Sequence, residues 1–228
     1  MIKFIAKILA FVVLLSPIFV KADTALKAWD SLVAKNFKKR PEFQYIKNNK
    51  NLPNVLLYGD SISIHYTQAV RNKLEGKVNL YRLYLNGGES ASFIKKMNKM
   101  HNTMTNSQLT DNWSFNWDVI HFNVGLHDLK YVKSKQLDKV NGKQVSSIKD
   151  FQNNLINIIH YLKKLAPKSQ LIFATTTPVP EGAKGRVAGD SVKYNNAALE
   201  VLKIFPEIKI NDLYKFTKPN QPQWWIKP

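Results

Sequence analysis

The sequence predicts a single three-layer α/β/α domain with about five mostly parallel strands. Two observations carry that prediction. Short apolar runs at 54–58, 78–83, 118–123, 171–175 and 208–210 alternate with stretches of helical periodicity. The turns after four of them hold Ser61, Gly88, residues 125–128 and residues 175–177, which right-handed crossovers place on one edge of a sheet. At 228 residues the chain is long enough to bury a full core.

Residues 1–22 read as a secretory signal peptide. Lys3 and Lys7 supply a positive start, an apolar core runs from 8 to 15, and Val20-Lys21-Ala22 offers cleavage positions. The run is too short for a membrane span, and without cysteine there is no lipobox. The expected location is therefore exported, periplasmic or extracellular. Removing these residues takes three lysines from the formal charge of +18 and leaves +15. Such a charge attracts polyanions, and an anionic envelope polymer is the partner it suggests. The basic residues are scattered and no nucleic-acid signature accompanies them, so no specific nucleic acid is expected. The absence of cysteine also excludes disulfides, thiolate metal sites and a cysteine nucleophile.

Residues 23–49 form an N-terminal amphipathic helix and linker. Leu26, Trp29, Val33 and Phe37 recur at helical spacing, Lys35 to Arg40 suit a helix end, and Pro41 marks the stop. Residues 50–228 form the main domain. The run at 54–58 reads as a buried strand, and Gly59-Asp60-Ser61 turns it into a helix. Ser61 then lies at a strand's carboxyl end and a helix's first turn, where free backbone N–H groups meet negative charge. After the second strand comes Asn86-Gly87-Gly88-Glu89-Ser90, then a helix with Phe93, Met97, Met100 and Met104 facing the core.

The third strand leads into Gly125-Leu126-His127-Asp128. Residues 130–146 are polar and lysine-rich, with Asn141-Gly142 read as a hairpin turn. Ser146 or Ser147 caps the next helix, whose apolar face runs from Ile148 to Leu165. The fourth strand ends in Thr175-Thr176-Thr177-Pro178-Val179-Pro180-Glu181-Gly182. A helix using Val192, Asn195, Ala198, Leu199 and Leu202 follows, and the fifth strand leads to Asn211-Asp212.

Those turns resemble the blocks of the SGNH, or GDSL-type, hydrolase family of serine esterases, over about residues 50–215. Gly59-Asp60-Ser61 matches the first block, which implies Ser61 as nucleophile. Gly88 matches the second-block glycine, whose N–H donates into the oxyanion hole. Residues 125–128 fall where the third block reads Gly-x-Asn-Asp, so His127 stands at the position of the donor asparagine. A bacterial exported subgroup is similar in carrying both Gly-Leu-His-Asp and Thr-Thr-Thr-Pro-Val-Pro-Glu-Gly. The resemblance implies a flavodoxin-like α/β/α fold and ester hydrolysis without cofactor or metal. It also implies a small-molecule or carbohydrate ester substrate, plausibly O-acetylated.

The implied hole combines the N–H groups of Ser61 and Gly88 with the side chain of His127. Asn123 is a further possible donor, and Asp60 and Asp128 support the site. For His127 a purely structural hydrogen bond is an equal alternative. The departure lies in the fifth block, Asp-x-x-His. The five histidines are His65, His101, His121, His127 and His160, and none follows residue 160. His65, four residues after Ser61, is the nearest candidate base. Three readings follow: a C-terminally incomplete esterase, a pseudoenzyme that binds an acylated glycan, or a basic envelope-binding protein using the fold as a scaffold. The first reading expects DNA downstream of the Pro228 codon to encode an Asp-x-x-His segment.

Overall fold

The structure, a computed structural model, describes residues 24–220; the expected signal peptide lies outside the described residues. Five parallel strands make the central sheet: β1 (Asn54–Tyr58), β2 (Asn79–Arg82), β3 (Val119–Phe122), β7 (Gln170–Ala174) and β8 (Lys209–Asn211), in the order β2-β1-β3-β7-β8. The helices are α1 (Ala25–Leu32), α2 (Ser61–Lys73), α3 (Phe93–Met104), α4 (Ile148–Leu165), α5 (Asp190–Leu202) and the short α6 (Leu213–Thr217). This is the α/β/α layering expected from the alternation.

Register fixes what each face of the sheet holds, because side chains alternate along a strand. Leu56, Ile120 and Leu171 align on one face, followed by Tyr58, Phe122 and Phe173. Phe93 of α3 stacks on Tyr58 at 3.8 Å and meets Phe122 edge-on, so α3 covers this face. Met97, Met100 and Met104 are fully buried, as their spacing predicts. Helix α4 brings Phe151, Leu155, Ile158, Ile159 and Leu162 into the same core, and α5 packs beside it.

The other face carries Leu57, Arg82, His121 and Ile172. Helix α2 lies over it, with the Tyr66 ring edge-on to His121 and Thr67 Oγ1 accepting from Arg82 Nη1 at 2.9 Å. A guanidinium in this position must be satisfied locally. Arg82 Nε donates to Leu83 O, and the group stacks on Phe43 at 4.5 Å. Burial nonetheless holds the Arg82 pKa down to about 9.

Several expectations are corrected. Helix α1 stops at Leu32 and not near Pro41, because Val33 turns extended and residues 34–40 fold into successive turns. Phe37 leaves the helical stripe to stack on Phe43 at 4.4 Å, and Leu26 faces solvent while Ala25 and Trp29 are buried. In α5 it is Tyr194 that is buried, and Val192 that is exposed.

The segment 130–146 forms a small antiparallel sheet of β4 (Tyr131–Lys133), β5 (Gln136–Leu137) and β6 (Lys143–Gln144), ordered β5-β4-β6. Its hairpin turn is Ser134-Lys135, both at positive φ, as a two-residue turn matching strand twist requires. Asn141-Gly142 lies in the link to β6, which pairs with β4 rather than β5. Ser147, not Ser146, caps α4.

Phe122 touches both Phe93 and Phe173 at the centre of the larger core. Phe122→Ala is expected to lower stability by about 3–5 kcal/mol. Lys209→Ala on exposed β8 should stay within about 0.5 kcal/mol of wild type in the same urea titration.

Candidate active site

The turn after β1 is built by short side chains. Asp60 caps α2, its Oδ1 accepting from Ile62 N–H at 2.9 Å, and Ser63 Oγ donates back to Asp60 O at 2.7 Å. Gly59 has no room for a side chain, since a Cβ there would stand 2.9 Å from Ser63. Ser61 is thereby fixed as the first residue of α2, exposed at the carboxyl edge of the sheet. Neither its hydroxyl nor its N–H has a hydrogen-bond partner among the described residues.

The loop after β2 is pinned to that turn by Gly87 N–H donating to Gly59 O at 2.9 Å. Gly88 follows at φ +67, a conformation that costs glycine little and other residues more. Its N–H is met by Asn86 Oδ1 at 2.9 Å. An arriving anion must share or displace that contact.

The loop after β3 is held by Asp128, which is completely buried. Its carboxylate accepts from Ser90 N–H at 3.0 Å, Ser90 Oγ at 2.5 Å and Ser146 Oγ at 2.7 Å. Burial still raises its pKa, against the pull of the serine hydrogen bonds. Asn154 of α4 adds a bond to Ser90 Oγ at 3.0 Å. Asp128 therefore ties the second loop to the third and to the chain entering α4.

His127 sits beside this knot. Its Nδ1 is 2.9 Å from Lys130 Nζ. Burial, then the charges of Lys130 and Arg186, push the imidazole down to about 3, so it is neutral at physiological pH. An ammonium only donates, so Nδ1 accepts and the ring proton resides on Nε2. His127 is thus a neutral donor in a chosen tautomer.

The remaining predicted residues take other places. Asn123 is buried and its amide donates to Ala174 O at 2.6 Å, bracing the ends of β3 and β7. As an oxyanion donor Asn123 would thus have one N–H already spent. His65 is exposed on α2, His101 meets Phe115 edge-on, and His160 is exposed beside Phe205. His121 is held down to about 4 by burial, with Nε2 3.1 Å from Asn211 Nδ2. A narrow cleft enclosing about 10 Å³, room for one water, lies between α2 and the strand ends. Asp60, Tyr66, Asn123, Leu126, Thr177 and Leu213 are among the residues lining it.

Sequence reading missed Lys96, Lys130 and Arg186, which crowd these loops. Lys96 Nζ donates to Gly87 O at 2.6 Å and Arg186 Nε to Leu126 O at 3.0 Å. Only Lys130 left a signal, at one helical turn from His127. Among the described residues no cluster of three or more His, Asp or Glu side chains could hold a metal ion.

A pH prediction follows from the depressed histidines. With folded values near 3 and 4 against an ordinary 6.5, the unfolded chain takes up protons first as pH falls. Their contribution to stability is complete above about 6.5 and declines as pH drops towards 3. NMR titration should find the His127 ring neutral at pH 5, and Lys130→Met should raise its pKa. An ordinary pKa for His127 in the wild-type chain would contradict the described surroundings.

No protein-family model matches the chain. No curated protein matches it either. Solved structures do. A lipase/acylhydrolase from Enterococcus faecalis aligns over 74% of this chain and 80% of its own, at 16% identity and a TM-score of 0.54. The acetyl xylan esterase AlAXEase aligns over 75% and 84%, at 18% identity and a TM-score of 0.53. A GDSL-like lipase from Bacteroides thetaiotaomicron aligns over 76% and 74%, at 11% identity and a TM-score of 0.50. At such identities the likeness speaks to architecture. In strand order, layering and structural neighbours, this chain has the SGNH, or GDSL-type, hydrolase fold.

Proposed function

We propose that the chain carries a serine ester hydrolase site, exported and directed at an acylated substrate such as an O-acetylated carbohydrate. The observation that carries it is Ser61: an exposed, unpartnered hydroxyl at a helix start, in a turn tied to the Gly88 loop through the Gly87 N–H to Gly59 O bond. Attack by Ser61 Oγ on an ester carbonyl moves the electron pair onto the carbonyl oxygen. Ser61 N–H, Gly88 N–H and His127 Nε2–H are the donors for that oxyanion, with Asn86 yielding its place at Gly88. A neutral imidazole suits this role because it donates without losing its proton to the anion. The acetyl xylan esterase among the structural neighbours supports the substrate class.

As it attacks, the Ser61 hydroxyl gives its proton to a base, and collapse of the adduct expels the alcohol. Among the described residues no histidine is hydrogen-bonded to Ser61, and the sequence has none after His160. Losing the base costs serine hydrolases on the order of 10⁴ to 10⁶ in rate. The same observation favours a second reading, in which the chain binds an acylated glycan and does not turn it over.

The test supplies an imidazole from solution. The 228-residue chain should hydrolyse p-nitrophenyl acetate slowly. Added imidazole should accelerate it above the solution background, while Ser61→Ala shows that background alone. Fast hydrolysis untouched by Ser61→Ala contradicts the reading. Fast hydrolysis that needs no imidazole and disappears in His65→Ala names His65 as the base. Binding of acetylated glycan with no imidazole-assisted turnover favours the second reading.

A further inference from the structure

We infer that this site takes an ester that carries a carboxylate close to its acyl group, an inference that rests on the serine-ester reading above. Three cations are fastened to two loops beside the proposed hole, those after β2 and β3. Lys96 Nζ is bound to Gly87 O and lies 2.7 Å from where a Cβ on Gly88 would stand. Lys130 Nζ is bound to His127 Nδ1, and Arg186 Nε to Leu126 O. They arrive from α3, from the start of the small sheet and from the loop before α5. Three independent segments thus bring cations to the loops after β2 and β3, and two of them, Lys130 and Arg186, also act on Asp60, the residue before Ser61.

Each of these cations is half-buried and held by a neutral acceptor. None has a carboxylate within ion-pair distance among the described residues. Burial depresses the pKa of all three, a cost that an arriving anion would relieve. The acids nearby do not fill that role. Asp60 and Asp128 are sealed beneath the loops, occupied by Ile62 N–H and by Ser90 and Ser146. Glu89, raised by burial, is brought below its ordinary value by bonds with its own backbone and Ser92, then by Lys96.

What remains open is on the cations. Lys96 and Lys130 each keep unused N–H groups. The terminal nitrogens of Arg186 have no hydrogen bond among the described residues and are not sealed from solvent. A planar pair of such donors matches a carboxylate better than a single hydroxyl. A neutral ester would leave three desolvated cations with no direct ion pair, answered only through space by Asp60, Glu89 and Asp128, whereas a uronate-type or dicarboxylate half-ester supplies that pair.

The experiment reads binding, so it does not depend on turnover. Histidine ring signals of the 228-residue chain are followed by NMR, with His127 assigned through His127→Asn. Monomethyl succinate, an ester with a free carboxylate, is titrated against methyl butyrate, its neutral counterpart. Monomethyl succinate should shift the His127 signals with roughly tenfold tighter affinity, the scale of one charge-assisted hydrogen bond. Arg186→Gln and Lys96→Gln should each erode that preference, so a folding defect in one leaves the other as the test.

Equal or weaker response to monomethyl succinate overturns the inference. So does a preference that survives both substitutions, or one lost equally in Lys164→Gln on the exposed side of α4, which would assign it to overall charge. Failure of the esterase reading looks different: charge-selective binding persists while imidazole-assisted, Ser61-dependent hydrolysis is absent. Hydrolysis with no charge preference overturns only the inference made here.

Discussion

The candidate site depends on one buried carboxylate. Asp128 accepts three hydrogen bonds from Ser90 and Ser146, joining two loops and the entry to α4 at a point closed to solvent. Burial alone disfavours the charge, so the serine donors are the condition for Asp128 being there. With Asp128 in place, Gly88 is held two residues before Ser90 and His127 one residue before the carboxylate. Removing it would take the acceptor from Ser90 N–H, Ser90 Oγ and Ser146 Oγ, leaving Asn154 as the remaining contact of the Ser90 hydroxyl.

Around that knot the electrostatics are arranged in layers. Acids lie underneath, in Asp60 and Asp128, and cations lie nearer the opening, in Lys96, Lys130 and Arg186. His127 stands between them and is forced neutral by burial and by those cations. A neutral histidine pinned through Nδ1 has a single donor to offer, at Nε2. The Lys130 contact fixes which ring nitrogen carries the proton. It also makes the donor sensitive to whatever alters Lys130.

The parts legible in the sequence were the local ones. A five-residue apolar run ending in Gly59-Asp60-Ser61 defines strand, turn and cap within eight positions, and β1 and α2 fall there. The methionine stripe of α3 was readable for the same reason. Helix α1 was read too long because Phe37 keeps helical spacing with Val33, although its stacking partner, Phe43, lies across a turn. The hairpin was placed at Asn141-Gly142 because that pair favours positive φ, yet strand pairing chose Ser134-Lys135.

Convergence was not legible. Lys96 and Arg186 are ninety residues apart, and nothing in their neighbours' identity announces that both end beside the same glycine and histidine loops. Arg82 sits inside a run that reads as an ordinary buried strand, and only α2 and Phe43 explain how a guanidinium survives there. Such groups are held by tertiary neighbours, here in part since Arg82 Nη2 is buried without a hydrogen bond, and a linear pattern does not encode those neighbours.

We propose that Ser61, Gly88 and His127 surround one point in space suited to an oxyanion. A crystal structure with a small alkylboronic acid, which forms a tetrahedral adduct on a serine oxygen, tests it most directly. The account predicts boron bonded to Ser61 Oγ, with one boronate oxygen within about 3 Å of Ser61 N, Gly88 N and His127 Nε2. An adduct on Ser61 whose oxygens meet none of those donors, or boron bound at another residue, would contradict it.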